Sequence, residues 1–254
     1  MLNDSEFLRY SRQLLLEDIG LEGQEKLGQS TVLIVGLGGL GSPVSLYLAA
    51  AGVGKMLLAD DDTLHLTNLQ RQILFRTQDI ERSKAELAKE QLQALNPQIS
   101  YQVLTQRLTD KNLNEILPQV DLVLDCCDNM ATRHAVNAAC IQHRIPLVSG
   151  SAVSFSGQLM VLKPPFDHGC YACLYPEQQE PERNCRTAGV LGPMVGAIGS
   201  LQALEAIKML AGGSSALEGK LQLFDGKRHH WTTLRLHRDP NCQVCGGQNA
   251  NHGE

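Results

Sequence analysis

Short apolar runs, separated by polar turns and stretches of helical spacing, fill the first 150 residues. They predict strands at Val32–Val35, Met56–Ala59, Tyr101–Thr105, Leu122–Leu124 and Leu147–Ser149. Helices are predicted between them near Pro43–Ala51, Ser83–Leu95 and Thr132–His143. Strand and helix in alternation predict an α/β fold with a doubly wound, mostly parallel, Rossmann-like sheet. After Gly150 the pattern changes. A strand-like run, Gln158–Leu162, stops at Pro164-Pro165, and a polar segment with little periodicity runs from Phe166 to Asn184. A helix follows over Pro193–Leu210, and Leu221–Phe224 and Trp231–Leu236 flank the turn signal Asp225-Gly226 as two late strands. Their position predicts antiparallel additions at the sheet edge. The long polar segment reads as a functional loop, and the polar end, Gln248 to Glu254, is expected to fray.

The first strand runs directly into Gly36-Leu37-Gly38-Gly39-Leu40-Gly41 and then a helix starting near Pro43. Glycines let such a turn approach a ligand closely, and the helix start offers unpaired N–H groups and a positive dipole end to an anion. Asp60 closes the second strand, where an acidic side chain reaches a ribose hydroxyl. These features alone specify only an adenine nucleotide, and by themselves they favour an ordinary dinucleotide oxidoreductase. No separate constellation for hydride chemistry accompanies them.

Composition narrows the field. A chain of 254 residues with 43% hydrophobic content can bury a sizeable core. Its net charge of -5 and the lack of a basic patch argue against nucleic acid as a partner. No apolar run approaches the roughly 20 residues of a membrane span, and Met1 to Tyr10 lacks the character of a leader. A cytoplasmic protein is expected, in which cysteines bind metal or do thiol chemistry rather than form disulfides.

Two pairs of the same spacing stand out among the eight cysteines: Cys170-x-x-Cys173 and Cys242-x-x-Cys245. Four thiolates suit tetrahedral zinc, and a closed site of this kind would staple the C-terminal stretch to the middle of the chain. Two unrelated redox or surface pairs are the alternative, although neither pair sits in a thioredoxin-like strand and helix. Cys140 falls among helical alanines and should pack. Of Cys126 and Cys127, one is expected to pack and the other to line the nucleotide site. Cys185 lies between Arg183 and Arg186, whose charges would favour its thiolate, and a surface thiol without function is the competing reading.

A polar cluster, Asp61-Asp62-Thr63 and then Thr67-Asn68-Leu69-Gln70-Arg71-Gln72, follows Asp60 where a dehydrogenase would return to its next helix. Together with Arg9-Tyr10-Ser11-Arg12-Gln13, the glycine loop, Lys84, Asp128-Asn129 and both cysteine pairs, it makes the chain resemble the ubiquitin-activating-enzyme-like adenylyltransferases, the ThiF/MoeB superfamily. Bacterial members charge the C-terminal glycine of small sulfur-carrier proteins. Three stretches are most similar to the thiamine branch, which acts on a ThiS-like carrier: Asp128 to Arg133, Gly157 to Leu162 with Pro164-Pro165, and Pro181 to Gly189. The molybdopterin branch, acting on a MoaD-like carrier, is the alternative.

The resemblance implies one domain over 1–254, with an N-terminal helical arm (1–30), a nucleotide-binding core (31–150) and a carrier-binding and zinc lobe (151–254). It implies ATP as substrate, with Gly36, Gly38, Gly39, Gly41, Thr67, Asn68, Leu69, Gln70 and Asn129 around the nucleotide and Asp60 on the ribose. Arg71 and Lys84 would gather the phosphates, and Asp128 would hold Mg²⁺. Arg12 would reach the ATP of a neighbouring subunit, so a homodimer is implied. A carrier carboxylate is already ionised at neutral pH, so no general base is required. Cys185 would join the carrier through sulfur in a second step, with sulfur from a cysteine desulfurase or a rhodanese-like protein, to form the thiocarboxylate. Each residue also has a plainer reading: Arg9 and Arg12 as surface charges, Lys84 as a first-turn helix residue, Asp128 as a helix cap. A scaffold that docks nucleotide and carrier without chemistry is a further alternative, which the intact Arg12, Arg71, Lys84 and Asp128 oppose. His65, His134, His143, His168 and the pair His229-His230 show no ligand spacing.

Overall fold

A computed structural model of the chain describes residues 2–176 and 188–246. Cys185 and the stretch 248–254 lie outside the described residues. Two helices, α1 (Asp4–Leu14) and α2 (Gly20–Gln29), precede β1 (Thr31–Val35), α3 (Gly41–Ala51), β2 (Lys55–Ala59), α4 (Lys84–Leu95) and β3 (Ser100–Leu104). Then come α5 (Asp110–Ile116), β4 (Leu122–Asp125), α6 (Met130–His143), β5 (Leu147–Val153) and β6 (Ser156–Leu162). A single turn, α7 (Tyr171–Leu174), a long helix, α8 (Gly192–Leu210), and the strands β7 (Lys220–Asp225) and β8 (His230–Arg235) complete the order.

All eight strands join one sheet in the order β3-β2-β1-β4-β5-β6-β7-β8. The first five are parallel and the last three antiparallel. Chain direction across the sheet reverses between β1 and β4, and at such a switch point the loops splay and leave a crevice. Both faces of the inner parallel strands are covered, which is why β1, β2 and β4 read as largely unbroken apolar runs, whereas the edge strand β3 carries exposed Ser100 and Gln102. Val32 and Ile34 pack into the core beneath α3, α4 and α8, while Leu33 and Val35 point to the other face with α5 and α6. The edge strand β8 is exposed along its whole length.

The predicted architecture holds, with several local differences. Helix α3 starts at Gly41, two residues before Pro43. Strand β4 ends at Asp125, so Cys126 and Cys127 lie beyond it, and both are buried. Strands β5 and β6 extend past their apolar runs into a hairpin through Ser151, Ala152 and Val153, held by pairing rather than by hydrophobicity. The aperiodic segment contains α7. Helix α5 was missed because its apolar content is low; it begins at a capping box in which Thr109 and Asn112 satisfy each other's backbone N–H groups.

The N-terminal arm docks by polar contacts with the far ends of α3 and α4. Asn96 Nδ2 donates to Tyr10 Oη (2.9 Å) and to the Ala49 carbonyl (2.9 Å), and Gln24 Nε2 donates to the Ala51 carbonyl (3.0 Å). Cys140 is fully buried in α6, as expected.

Gln202, buried on α8, donates from Nε2 to the carbonyls of Asp125 (2.8 Å) and Val148 (3.2 Å), so one amide ties the ends of β4 and β5 to the covering helix. Gln202→Leu keeps the volume but strands those buried acceptors. It should lower stability by about 1–3 kcal/mol, read from urea unfolding.

Candidate functional site: a nucleotide cleft and a cysteine cage

An open cleft of about 1110 Å³ lies at the carboxyl ends of the parallel strands. Its floor is the glycine turn. Gly36 adopts φ +88°, and a Cβ there would sit 2.8 Å from the Cys126 carbonyl oxygen, so the loops after β1 and β4 meet with no room for a side chain. A Cβ on Gly41 would overlap the Gly36 carbonyl. Gly36, Gly38 and Gly39 line the cleft, whereas Gly41 closes the turn behind them.

Asp60 stands at the end of β2 and accepts from two backbone N–H groups, Leu37 to Oδ2 (2.7 Å) and Asp62 to Oδ1 (3.0 Å). Burial raises its pKa above the ordinary carboxylate value, and the Leu37 N–H only partly offsets this. Residues 60–83 then form a connection much longer than the roughly 2–6 residues usual in α/β units. It closes on itself: Thr63 bridges Ser83, Leu64 N–H donates to the Arg82 carbonyl (2.9 Å), and Lys84 N–H to that of Asp62 (3.1 Å). This closure brings Lys84, capped into α4 by Ser83, against Asp62. Lys84 is buried, and its Nζ lies 2.5 Å from Asp62 Oδ2.

Thr67, Asn68, Arg71 and Gln72 also line the cleft from this connection. Asn68 Oδ1 accepts from His65 N–H (3.0 Å), and Arg71 donates from Nη1 to the Thr67 carbonyl (3.2 Å). Leu69 instead packs on the core, and neither it nor the exposed Gln70 lines the cleft. Asp128 is exposed in the cleft, three residues past β4. The cap of α6 is Asn129, whose Oδ1 accepts from Thr132 N–H (2.9 Å), so the cap falls one residue after Asp128. Cys126 and Cys127 both border the cleft, rather than one alone. Arg12 is exposed on α1 and does not line the cleft of its own chain.

Sequence reasoning missed several lining residues. Gln106, Arg107 and Leu108 follow β3, and Ser151, Ala152, Val153, Gln158 and Tyr175 form a wall from the β5–β6 hairpin and the end of α7. Tyr175 Oη donates to Gln158 Oε1 (2.7 Å). His65, given no role, is there as well. No local motif marks these positions. The site therefore has one end rich in charge, with Asp60, Asp62, Arg71, Lys84, Arg107 and Asp128, and one end, along Ser151–Val153, Gln158 and Tyr175, whose own side chains are uncharged and whose one neighbouring cation, Arg133, is buried against the Gly150 carbonyl.

On the other face of the sheet the four paired cysteines converge. Their Sγ atoms all lie within 4.8 Å of one another, with Cys170–Cys173 at 4.0 Å, Cys170–Cys242 at 3.8 Å and Cys173–Cys245 at 3.4 Å. A zinc ion bonded at about 2.3 Å to four sulfurs sets them about 3.8 Å apart, so this cage fits a tetrahedral ion. Supporting donors surround it: Asn137 Nδ2 reaches Cys170 Sγ (3.5 Å) and Asp239 N–H reaches Cys173 Sγ (3.4 Å). The cage joins the segment after β8 to α7.

Comparison with known proteins places these features in context. The model of the ThiF family matches residues 10–244. The chain is 59% identical over 249 residues to the sulfur carrier protein ThiS adenylyltransferase of Escherichia coli (strain K12), covering 98% of this chain and 99% of that protein. It is 45% identical over 245 residues to the molybdopterin-synthase adenylyltransferase of the same organism, covering 96% and 98%. Among solved structures, E. coli MccB with ATP superposes with a TM-score of 0.82 at 26% identity, over 96% of this chain and 75% of that one.

Two outcomes follow from the geometry. Elemental analysis of the purified chain should find one metal ion per chain, and Cys242→Ser should lose it and melt at lower temperature. For Asp62, burial favours the neutral form, but the Lys84 hydrogen bond and charge outweigh it and hold the pKa below the ordinary value. A depressed carboxylate pKa gives stability that is complete above the unfolded value, about 3.9, and lost as pH falls through the lower folded one. Asp62→Asn should therefore be less stable than wild type at pH 7, with the gap closing below about pH 4. A gap that persists at acid pH would refute the ion-pair account.

Proposed function

The chain belongs to the ThiF family, and from that membership we propose that it adenylates the C-terminal glycine carboxylate of a ThiS-like sulfur carrier protein. The observation that carries this reading is the end-to-end 59% identity with the ThiS adenylyltransferase, against 45% with the molybdopterin-synthase enzyme. The chain is an adenylyltransferase, and its reaction is one step toward the carrier thiocarboxylate used in thiamine biosynthesis. MoeB-type activity on a MoaD-like carrier is the weaker alternative.

A carboxylate oxygen of the carrier attacks the α-phosphorus of ATP, the bond to the β-phosphate oxygen breaks, and pyrophosphate leaves with the electron pair. Both reactants are anions, so the site has to gather positive charge. Arg71 and Lys84 supply it from the 60–83 connection, and the turn Gly36–Gly41 lets the phosphates approach the backbone. Asp60 accepts from the ribose, and Thr67, Asn68 and the amide of Asn129 complete the nucleotide contacts. Asp128 is an exposed oxygen donor suited to Mg²⁺, which when bound neutralises phosphate charge and eases pyrophosphate departure. Arg12, exposed and outside the lining of its own cleft, would serve a second copy in a homodimer. The uncharged end of the cleft is where an extended glycine tail would lie. The four-cysteine cage would hold Zn²⁺ as a structural ion, since a closed S₄ set leaves no open position. In this reading residues 1–30 form the N-terminal helical arm, 31–150 the nucleotide-binding core and 151–254 the carrier-binding and zinc lobe of a single cytoplasmic domain.

ATP–pyrophosphate exchange with Mg²⁺ tests the proposal directly. Exchange should require the ThiS-like carrier, and exchange with the MoaD-like carrier alone would move the chain to the other branch. Cys185→Ala should leave exchange intact, yet abolish thiocarboxylate formation when a cysteine desulfurase or rhodanese-like donor is added. Normal thiocarboxylate yield would remove Cys185 from the mechanism.

A further inference from the structure

Arg133, in the second turn of α6, is a buried cation that the adenylation chemistry leaves without a task. It faces the Asp125 carboxylate, with Nη1 donating to Oδ2 at 2.7 Å. The same nitrogen donates to Ser149 Oγ (3.1 Å), and Ser149 in turn donates to Asp125 Oδ2 (2.7 Å). Nη2 donates to two main-chain carbonyls, Cys127 (2.5 Å) and Gly150 (2.7 Å). Tyr171 covers the guanidinium, its ring centroid 5.9 Å from Cζ.

Both carbonyls matter. Cys127 directly precedes Asp128, on the charged side of the cleft, and Gly150 directly precedes Ser151–Val153, on the uncharged side. We infer that Arg133 is a positioning residue: by clamping the loop after β4 and the outer half of β5 to one rigid fork, it fixes where the carboxylate-bearing tail stands relative to the α-phosphate. This rests on the reading that nucleotide and carrier tail share the cleft. Four of the five guanidinium N–H groups are engaged with protein acceptors, so little capacity is left for binding phosphate. Lysine cannot replace it, because one ammonium has three donors and no planar fork. A displacement of about 1 Å between reacting groups costs on the order of 100-fold in rate.

The test compares the full, metal-loaded chain with Arg133→Lys. Single-turnover adenylation of the carrier should fall about 10–100-fold, while ATP affinity falls by no more than about threefold, since the glycine turn, Asp60, Arg71 and Lys84 hold the nucleotide from elements that Arg133 does not touch. Amide hydrogen exchange should quicken at 126–129 and at 150–153 together. Unchanged turnover, loss of ATP affinity in step with turnover, or faster exchange throughout the chain would each overturn the proposal. Should Arg133→Lys not fold, Ser149→Ala keeps both buried charges paired and removes one link of the clamp. Slower turnover at unchanged ATP affinity, with quickened exchange at 150–153, is then expected, and wild-type values would refute the clamp. If the wild-type chain adenylates no carrier, the proposed activity fails, and amide exchange in the variants still decides whether Arg133 holds both segments.

Discussion

A carboxylate buried at the end of β4 is the constraint around which the cleft is built. Asp125 is 1% exposed and pairs with Arg133, 6% exposed and 2.7 Å away, while Ser149 Oγ and the Cys127 N–H donate to the same carboxylate. Such a pair adds little net stability over an apolar replacement, because desolvation of two ions consumes most of the Coulomb gain. Losing one partner is another matter, at about 3–5 kcal/mol, since the survivor stays buried without compensation. The pair is therefore weak as a source of stability and strong as a source of geometry. Its remaining hydrogen bonds fall on Ser149, Cys127 and Gly150, and Gln202 takes the outer carbonyls of Asp125 and Val148 from the opposite face.

That arrangement stiffens the sheet at the place where chain direction reverses. Strands β1 and β4 are neighbours although two βα units separate them in sequence, and their following loops approach until only glycine fits at position 36. The crevice thus has a main-chain floor and side-chain walls. One wall is charged because the 60–83 connection folds back on itself and buries Lys84 beside Asp62. The other wall comes from the β5–β6 hairpin and the residues around α7. Tyr171 of α7 covers Arg133 while its neighbours Cys170 and Cys173 belong to the cysteine cage. Cage and cleft are thus two sides of one turn of helix, and a metal ion in the first would brace a wall of the second.

Family membership gives these features their chemistry. Two anionic reactants must be held in line, one by its phosphates and one by an extended tail, and a cleft charged at one end and neutral at the other separates the two tasks. The glycine turn by itself would serve a dehydrogenase equally well. The connection after Asp60 is what differs: with it the protein places Arg71 and Lys84 at the charged end of the cleft, where the proposed reaction would need cations beside the departing pyrophosphate.

Much of this was legible in the sequence. The inner strands of the parallel sheet are short, largely apolar and bounded by glycine or polar turns, so their pattern reads directly; the glycine turn, Asp60 and the paired cysteines are local signals whose spacing carries their chemistry. Helix α5 and the extensions of β5 and β6 were not legible, because capping and strand pairing form them rather than hydrophobic periodicity. Arg133 appeared in the sequence only as one residue of a family stretch. Nothing in Asp125, Ser149 or Gly150, spread over two strands and their loops, marks them as its partners. Nor could spacing reveal that Gln106–Leu108 and Ser151–Val153 border one cleft, since β3 and β5 lie on opposite sides of the switch point. The chain by itself determined which groups are available, because periodicity and spacing are properties of neighbours along it. Only the tertiary structure decided which of them face each other, because burial and charge pairing act between strands that the sheet, not the sequence, makes adjacent.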